Sequence, residues 1–346
     1  CDKSVILMSK TIKTFYKYRH PLVDALIWIT VMLLAAPPLM FLDDNKRGVA
    51  WLLVGIALFN IQDLILKSLS GTYPLHEAMV VRSLTALPIL LVMVATDGGL
   101  RQLLNPGWSR MISRGFVMFV AYTAYYLGLA ALPMATTVAL YFSAPLFITV
   151  LSVVILKETV GPRRWLAIAV GFAGVLVMLR PGSTLFEIAA ILPVASGLAY
   201  ALAMVQARHL GGHYSAAALA FWGNIVFLFC ASVLALIFGG GQFADESSKS
   251  MGFLLRGWVV PSQHDLLLMM ACGLIAALGL TFLTQAYRIA QANIVAPFEY
   301  SAMIWGVVYG WAFWGDWPDT VAWTGIFMII WAGIYVLWRE TRTKAV

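Results

Sequence analysis

Residues 141–158, YFSAPLFITVLSVVILKE, return 158 positions later as EYSAMIWGVVYGWAFWGD at 299–316. Ser143 and Ala144 align with Ser301 and Ala302, and the acid Glu158 aligns with the acid Asp316. Both stretches are apolar, and both pass through an acidic turn into another apolar, glycine-containing segment. The first turn carries Lys157, Arg163 and Arg164, whereas the second carries Asp319 and no base. Cytoplasmic loops collect Lys and Arg, so the same hairpin is expected to enter a membrane once from each side. That is the sequence form of an inverted-topology repeat, an arrangement common in secondary transporters with a site near the bilayer midplane.

Composition agrees with a membrane setting. Only 11 % of the residues are charged and 61 % are hydrophobic, whereas a soluble domain carries roughly a quarter charged residues. A hydrocarbon core needs about 20 apolar residues per helix. Apolar segments run at 48–66, 75–95, 115–132, 134–155, 163–180, 184–206, 214–238, 265–287, 293–314 and 321–338. The expected fold is an all-α integral membrane protein, ten transmembrane helices as two inverted five-helix repeats. With residue 47 inside, thirteen basic residues fall on the inner side, Arg101, Arg110 and Arg114 among them. Four fall outside: Lys67, Arg180, Lys249 and Arg256. Both ends of the ten-helix unit are therefore expected in the cytoplasm, the localisation being a cell inner membrane.

The formal charge of +7 is spread thinly through short loops, so it reads as a topology signal and not as a nucleic-acid surface. Cys1, Cys230 and Cys272 lie far apart and form neither a disulfide framework nor a metal spacing. No cofactor and no metal is expected; the expected partners are a small-molecule substrate and the lipid bilayer, with the chain a monomer or homodimer.

The expected divisions are 1–47, 48–180, 184–338 and a cytoplasmic tail at 339–346. Residues 1–47 sit outside the repeats, with a basic stretch followed by an apolar one at 22–42. A spanning helix would put either the basic stretch or Lys46–Arg47 on the wrong side, and Pro37–Pro38 would break it near its end. An extra helix, an interfacial helix and an uncleaved signal-like region all remain open, as does Met8 as the true start. Between the seventh and eighth segments, GGGQFADESSKSMGFLLRGWVVPSQHD reads as an exposed outer loop.

From residue 48 to 338 the chain resembles the EamA-type family of the drug/metabolite transporter superfamily. The resemblance rests on RGVAWLLVGIALFNIQDLILKSLS, the arginine of VVRSLTALPILL, YYLGLAALPMATTVALYFSAPLFITVLSVVILKE and the following GFAGVLVMLRPG. It implies ten helices in two inverted five-helix repeats, an inner-membrane location and transport of small organic solutes. Pro145 departs from the repeat, its counterpart being Met303, and the second acid is Asp316. The cargo stays open, because one scaffold of this kind serves many solutes.

A carboxylate in hydrocarbon costs about 2.5–3.5 kcal/mol on insertion scales. Glu299 sits inside the ninth segment two residues after Pro297, which frees a backbone carbonyl. Glu299 is thus the candidate counter-ion or proton-coupling acid; the alternative is a solvated vestibule charge. Asp63 and Arg82 lie at similar depth in the first and second segments and are expected to pair, as a gate or as a structural ion pair. Glu77, at the outer mouth, reads as a solvated end charge. Tyr141, Tyr300, Trp305, Tyr122, Asn224 and Gln285 complete the candidate site, since aromatic walls with a few fixed polar groups suit planar or cationic organic cargo. For any single Tyr or Trp the plainer reading is packing or the interfacial belt. The glycines of AIAVGFAG, with Gly306 and Gly310, read as close helix contacts.

The function so expected is a secondary transporter moving a small metabolite by alternating access. A non-transporting membrane partner or helper subunit is a second reading, and an intramembrane enzyme a third. No GxSG, HExxH or P-loop motif occurs in the sequence. Direction and coupling ion are left open. Impermeant thiol labelling of single introduced cysteines should find the loop at 157–164 cytoplasmic and the loop at 316–320 external. Labelling of both from one side would contradict the inverted repeat.

Overall fold

A computed structural model describes residues 44–96, 98–104, 108–157, 161–180, 188–210, 216–244, 247–289 and 296–343. Within these ranges some helical side chains, Gln285 among them, are also left undescribed. The N-terminal apolar segment at 22–42, Glu158 and residues 344–346 lie outside the described residues. Among the described residues the protein is helical throughout, without strands. Its elements are α1 (Asp44–Leu69), α2 (Leu75–Thr96), α3 (Trp108–Ala131), α4 (Met134–Tyr141), α5 (Ala144–Leu156) and α6 (Pro162–Leu179). Then follow α7 (Ile191–Leu210), α8 (Ala216–Phe238), α9 (Lys249–Leu255), α10 (Gln263–Ile289), α11 (Ala302–Tyr309) and α12 (Thr320–Thr343). Lys46–Leu69, Leu75–Thr96, Met134–Ile155 and Ala217–Phe238 are long and apolar enough to cross a membrane, and the protein is a multi-pass membrane protein.

Two segments break in the middle. The fourth segment stops at Tyr141 and resumes at Ala144, because Pro145 has no N–H to offer the Tyr141 carbonyl. Ser143 tightens the turn, its Oγ donating to Leu140 O at 2.7 Å. In the ninth segment a 3₁₀ turn at Ala296–Ser301 precedes α11, and a π turn follows at Gly310–Trp314. Ala144 and Ala302, the residues at which helix resumes, are 158 positions apart, the same offset that relates residues 141–158 to 299–316 in sequence. Non-helical backbone is tolerated at membrane depth only where protein covers it. Gly197 of α7 supplies that cover at the first break: a Cβ there would lie 3.0 Å from Tyr141 O. At the second break Gly333 of α12 receives the ring of Tyr300, whose hydroxyl fills the space an added Cβ would take.

Packing brings α1 against α10, α2 against α8 and α10, and α3 against α7 and α8. It also sets α5 against α7, α4 against α11, α11 against α1, and α6 against α12. The last pair crosses where Gly174 meets the Gly325 carbonyl and Gly325 meets Met178. The glycines of AIAVGFAG thus act in packing, as do Gly306 and Gly310 against Ala135. Arg180, which ends α6, donates from Nη2 to both carboxylate oxygens of Asp319, and Asp319 caps α12 by accepting from Ala322 N. That guanidinium holds the Asp319 carboxyl below its ordinary range. The contact is therefore full above the usual carboxylate pKa and fades as pH falls through the lowered value.

The segment expected as an exposed loop is exposed along much of its length, but it also carries α9 and is tied onto the bundle. Arg256 Nη1 donates to Ser70 O at 3.2 Å, Ser250 Oγ to Leu127 O at 2.7 Å, and Ser262 N to Tyr73 Oη at 3.2 Å. Its own Phe253 is buried. Glu77, read as a solvated end charge, is corrected. It is 0 % exposed, with Oε2 accepting from Val259 N at 3.1 Å, and His76 beside it is buried against Trp258. The loop covers both.

Gly333→Ala should drive Tyr300 from its seat and destabilise the protein by about 1–3 kcal/mol, the usual cost of overpacking. Gly161→Ala, with open space around it, should stay within about 0.5 kcal/mol. Melting curves of the two variants make the comparison.

Candidate functional site

Three tyrosines on consecutive turns of α3 form one wall of a polar cluster. Tyr125 and Tyr126 are buried, and Tyr122 is half-buried. Tyr125 Oη donates to Asp63 Oδ2 of α1 at 2.8 Å, and Gln62 Nε2 donates to Tyr126 Oη at 2.5 Å. The Tyr125 ring meets Tyr141 at 5.2 Å between centroids, and Tyr141 meets Tyr200 of α7 at 5.7 Å. Tyr141 ends α4 at the break, so the interruption turns its ring into the cluster and leaves its carbonyl facing Gly197.

Arg82 enters from α2. Its guanidinium lies 5.6 Å from the Tyr122 ring centroid and 5.7 Å from that of Phe227 on α8, the geometry of a cation–π contact. Its Nη1 is buried and has no hydrogen-bond partner. Asp63 and Arg82 do not make the direct ion pair that their depths suggested: Asp63 takes its hydrogen bond from Tyr125, although the charge of Arg82 acts on it. Cys272 of α10 is fully buried within reach of both charges. Asn224 of α8 ties the wall together, donating from Nδ2 to Ser83 O of α2 at 2.9 Å.

The ninth segment adds Glu299 and Tyr300 on its 3₁₀ turn. Glu299 is half-buried and acts electrostatically on Tyr141, Tyr200 and Tyr300. Tyr300 packs its ring 5.0 Å from Phe142 between centroids, and its hydroxyl is buried with no hydrogen-bond partner. Trp305 goes elsewhere: it packs on the cluster of Leu52, Ile56 and Ala286, with its ring 5.5 Å from Tyr309. Gln285 is on α10, and its side chain lies outside the described residues.

The sequence reading missed one charge. Arg114 counted only as a basic loop residue, but it belongs to α3 and acts electrostatically on Tyr122 and Tyr200. The signal was its spacing of eight from Tyr122, which puts both on one helix face. Two acids, two guanidiniums and six tyrosines thus surround one region, where rings offer stacking faces and the charges offer fixed donors and acceptors.

Residues 46–180 match the EamA-like transporter family. A riboflavin transporter of Rhizobium johnstonii is 31% identical over 68% of this chain and 72% of that protein. An S-adenosylmethionine uptake transporter of Rickettsia prowazekii is 23% identical over 88% of this chain and 97% of its own length. A pseudopaline exporter of Pseudomonas aeruginosa is 27% identical, covering 88% of this chain and 99% of that protein. One solved crystal structure superposes with a TM-score of 0.58 at 15% identity, over 85% of this chain and 97% of the other; it bears on the fold alone.

Tyr125→Phe removes the donor held by Asp63 and should cost about 1.5–3 kcal/mol, the range for hydrogen bonds to charged groups. Tyr309→Phe should change stability by less than about 0.5 kcal/mol, since the Tyr309 hydroxyl makes no hydrogen bond among the described residues. Denaturation of the two variants in the same detergent reads the difference.

Proposed function

The chain belongs to the EamA-like transporter family, and from that premise we propose that its tyrosine-walled cluster binds the cargo during alternating access across a bacterial inner membrane. The protein is a small-metabolite permease. The reading of the site rests chiefly on Arg82. A charge at membrane depth costs about 2.5–3.5 kcal/mol on insertion scales, yet the Nη1 of this guanidinium has no acceptor. An acceptor group carried by the cargo completes it, while Tyr122 and Phe227 hold the guanidinium plane in place.

The cargo that fits is a planar organic molecule with acceptor atoms along one edge. Its ring stacks on Tyr122, Tyr125, Tyr141 or Tyr200, its acceptor edge meets Arg82, and any amine or cationic group meets Asp63 or Glu299. Riboflavin and S-adenosylmethionine, the cargoes named for two relatives, both join a heteroaromatic ring to acceptor atoms. Uptake and export are both represented among the relatives, so direction is set by something other than this common scaffold.

Two inverted five-helix repeats, 48–180 and 184–338, give this site its means of alternation. The packing supports that division. Take ten spans in chain order: α1, α2, α3, α4 with α5, and α6, then α7, α8, α10, α11 with its flanking turns, and α12. Advancing each span by five turns the α1–α10 contact into the α7–α3 contact. The same shift turns α2–α10 into α8–α3 and α5–α7 into α11–α1. The pairs α2–α8, α4–α11 and α6–α12 map onto themselves. Such exchange is the behaviour of a pseudo-two-fold arrangement. The helper-subunit and enzyme readings have no comparable support in the packing.

Arg82→Lys keeps the charge that faces Asp63 but loses the planar fork. Transport should fall at least tenfold, about 1.4 kcal/mol in cargo affinity, with the melting temperature of the empty protein nearly unchanged. Glu299→Gln should lower transport by a similar factor or remove its pH dependence while folding persists. Counterflow in proteoliposomes measures both; losses that merely track a fall in melting temperature would assign the two residues to structure instead.

A further inference from the structure

Apart from the tyrosine cluster, a cleft of about 670 Å³ opens where α1 and α3 end, beside α9 and the turn after α11. On the topology proposed above this is the outer end of the bundle. Lys67, Lys249 and Arg256 line it, with Asp316 as the opposing charge and Trp314 at its edge. Three cations against one carboxylate leave an excess positive charge in a concave site, where low-dielectric walls concentrate the field.

The three bases are held differently. Lys67 Nζ donates to Leu129 O at 2.7 Å and to Leu132 O at 2.5 Å, and it sits 5.2 Å from the Trp314 ring centroid. It is therefore fixed, ending α3 while presenting its charge to the cleft. Arg256 uses Nη1 for Ser70 O and has no further hydrogen bond among the described residues, so part of its fork is unused. Lys249 makes no hydrogen bond or ion pair among the described residues, and it lies close enough to Lys67 to repel it. Like charges brought together in this way are relieved by an anion placed between them.

We propose that this cleft binds a phosphate-type oxyanion, with Arg256 supplying directed donors and Lys67 and Lys249 supplying point charges. The site is separate from the cargo cluster and does not depend on that reading. Bound there, the anion joins α9 of the folded loop to the ends of α1 and α3, and so holds the outer end closed. The oxyanion has two sources, a phosphate-bearing solute or the headgroup of an anionic lipid.

The test is melting of the full chain in phosphatidylcholine nanodiscs, with sodium phosphate compared against sodium chloride at equal ionic strength. Phosphate should raise the melting temperature saturably. In Lys249→Gln the apparent affinity should weaken about tenfold, the loss of one charge-assisted contact. Lys249 is the variant of choice because it makes no bond whose loss would unfold the loop. Arg101→Gln, on an exposed turn, removes one charge elsewhere and should leave the response intact. A second set of nanodiscs containing phosphatidylglycerol separates the sources. If that lipid alone stabilises the native chain, does not stabilise Lys249→Gln, and abolishes the phosphate response, the headgroup is the occupant. If phosphate still acts in its presence, the occupant is soluble. No stabilisation by either probe, equal effects of phosphate and chloride, or equal responses in Lys249→Gln and Arg101→Gln would overturn the site.

Discussion

Water is absent from the hydrocarbon layer, so every backbone carbonyl and every charge placed there needs a partner from the protein. The two interrupted segments show how this chain meets that demand. Pro145 leaves the Tyr141 carbonyl without its helical donor, and Gly197 lets α7 close over the gap. In the other half, Gly333 lets α12 close over the Tyr300 ring. Because these covers come from neighbouring helices, the breaks persist only while α5 stays against α7 and α12 against the 3₁₀ turn. Each break in turn delivers a side chain, Tyr141 from one half and Glu299 from the other, towards the same polar region.

The charges in that region obey the same demand with less success. Asp63 has its hydroxyl donor in Tyr125, and the opposing charge of Arg82 stands near without touching it. Arg82 is packed between two aromatic faces but lacks an acceptor on Nη1. Tyr300 likewise buries a hydroxyl with no partner. A network built only for stability tends to complete its hydrogen bonds. Of the two, Arg82 stands beside the tyrosine wall, where an acceptor carried by the proposed cargo would complete it. Gln62 Nε2 donates to Tyr126 Oη and ties α1 to α3 beside it.

Much of the architecture was legible because it follows from local rules. Hydropathy located the helical segments, but 134–155 and 293–314 read as unbroken; Pro145 stood out only as a departure from the repeat, and the breaks came from the structure. What escaped was burial imposed by distant segments. Glu77 read as a mouth residue because nothing near it in sequence shields it; the cover is Val259, far along the chain, with Trp258 over its neighbour His76. What the glycines and charges of the loop conceal is Phe253 and the four tethers to α2, α3 and the turn between α1 and α2. Arg114 was counted with the topology bases because α3 starts seven residues before the apolar run does. Trp305 was grouped with Glu299 by closeness in sequence, whereas its ring packs towards α1 and α10.

The central claim is that the region between Asp63, Arg82 and the tyrosines opens to water and is filled by cargo. Cys272 provides a native reporter, being fully buried beside Asp63 and Arg82. With Cys1 and Cys230 replaced by alanine, an impermeant thiol reagent should modify Cys272 in transporting vesicles at a rate that saturating cargo suppresses. Cys272 that stays unmodified during sustained transport, or that reacts equally fast with and without saturating cargo, would contradict the account.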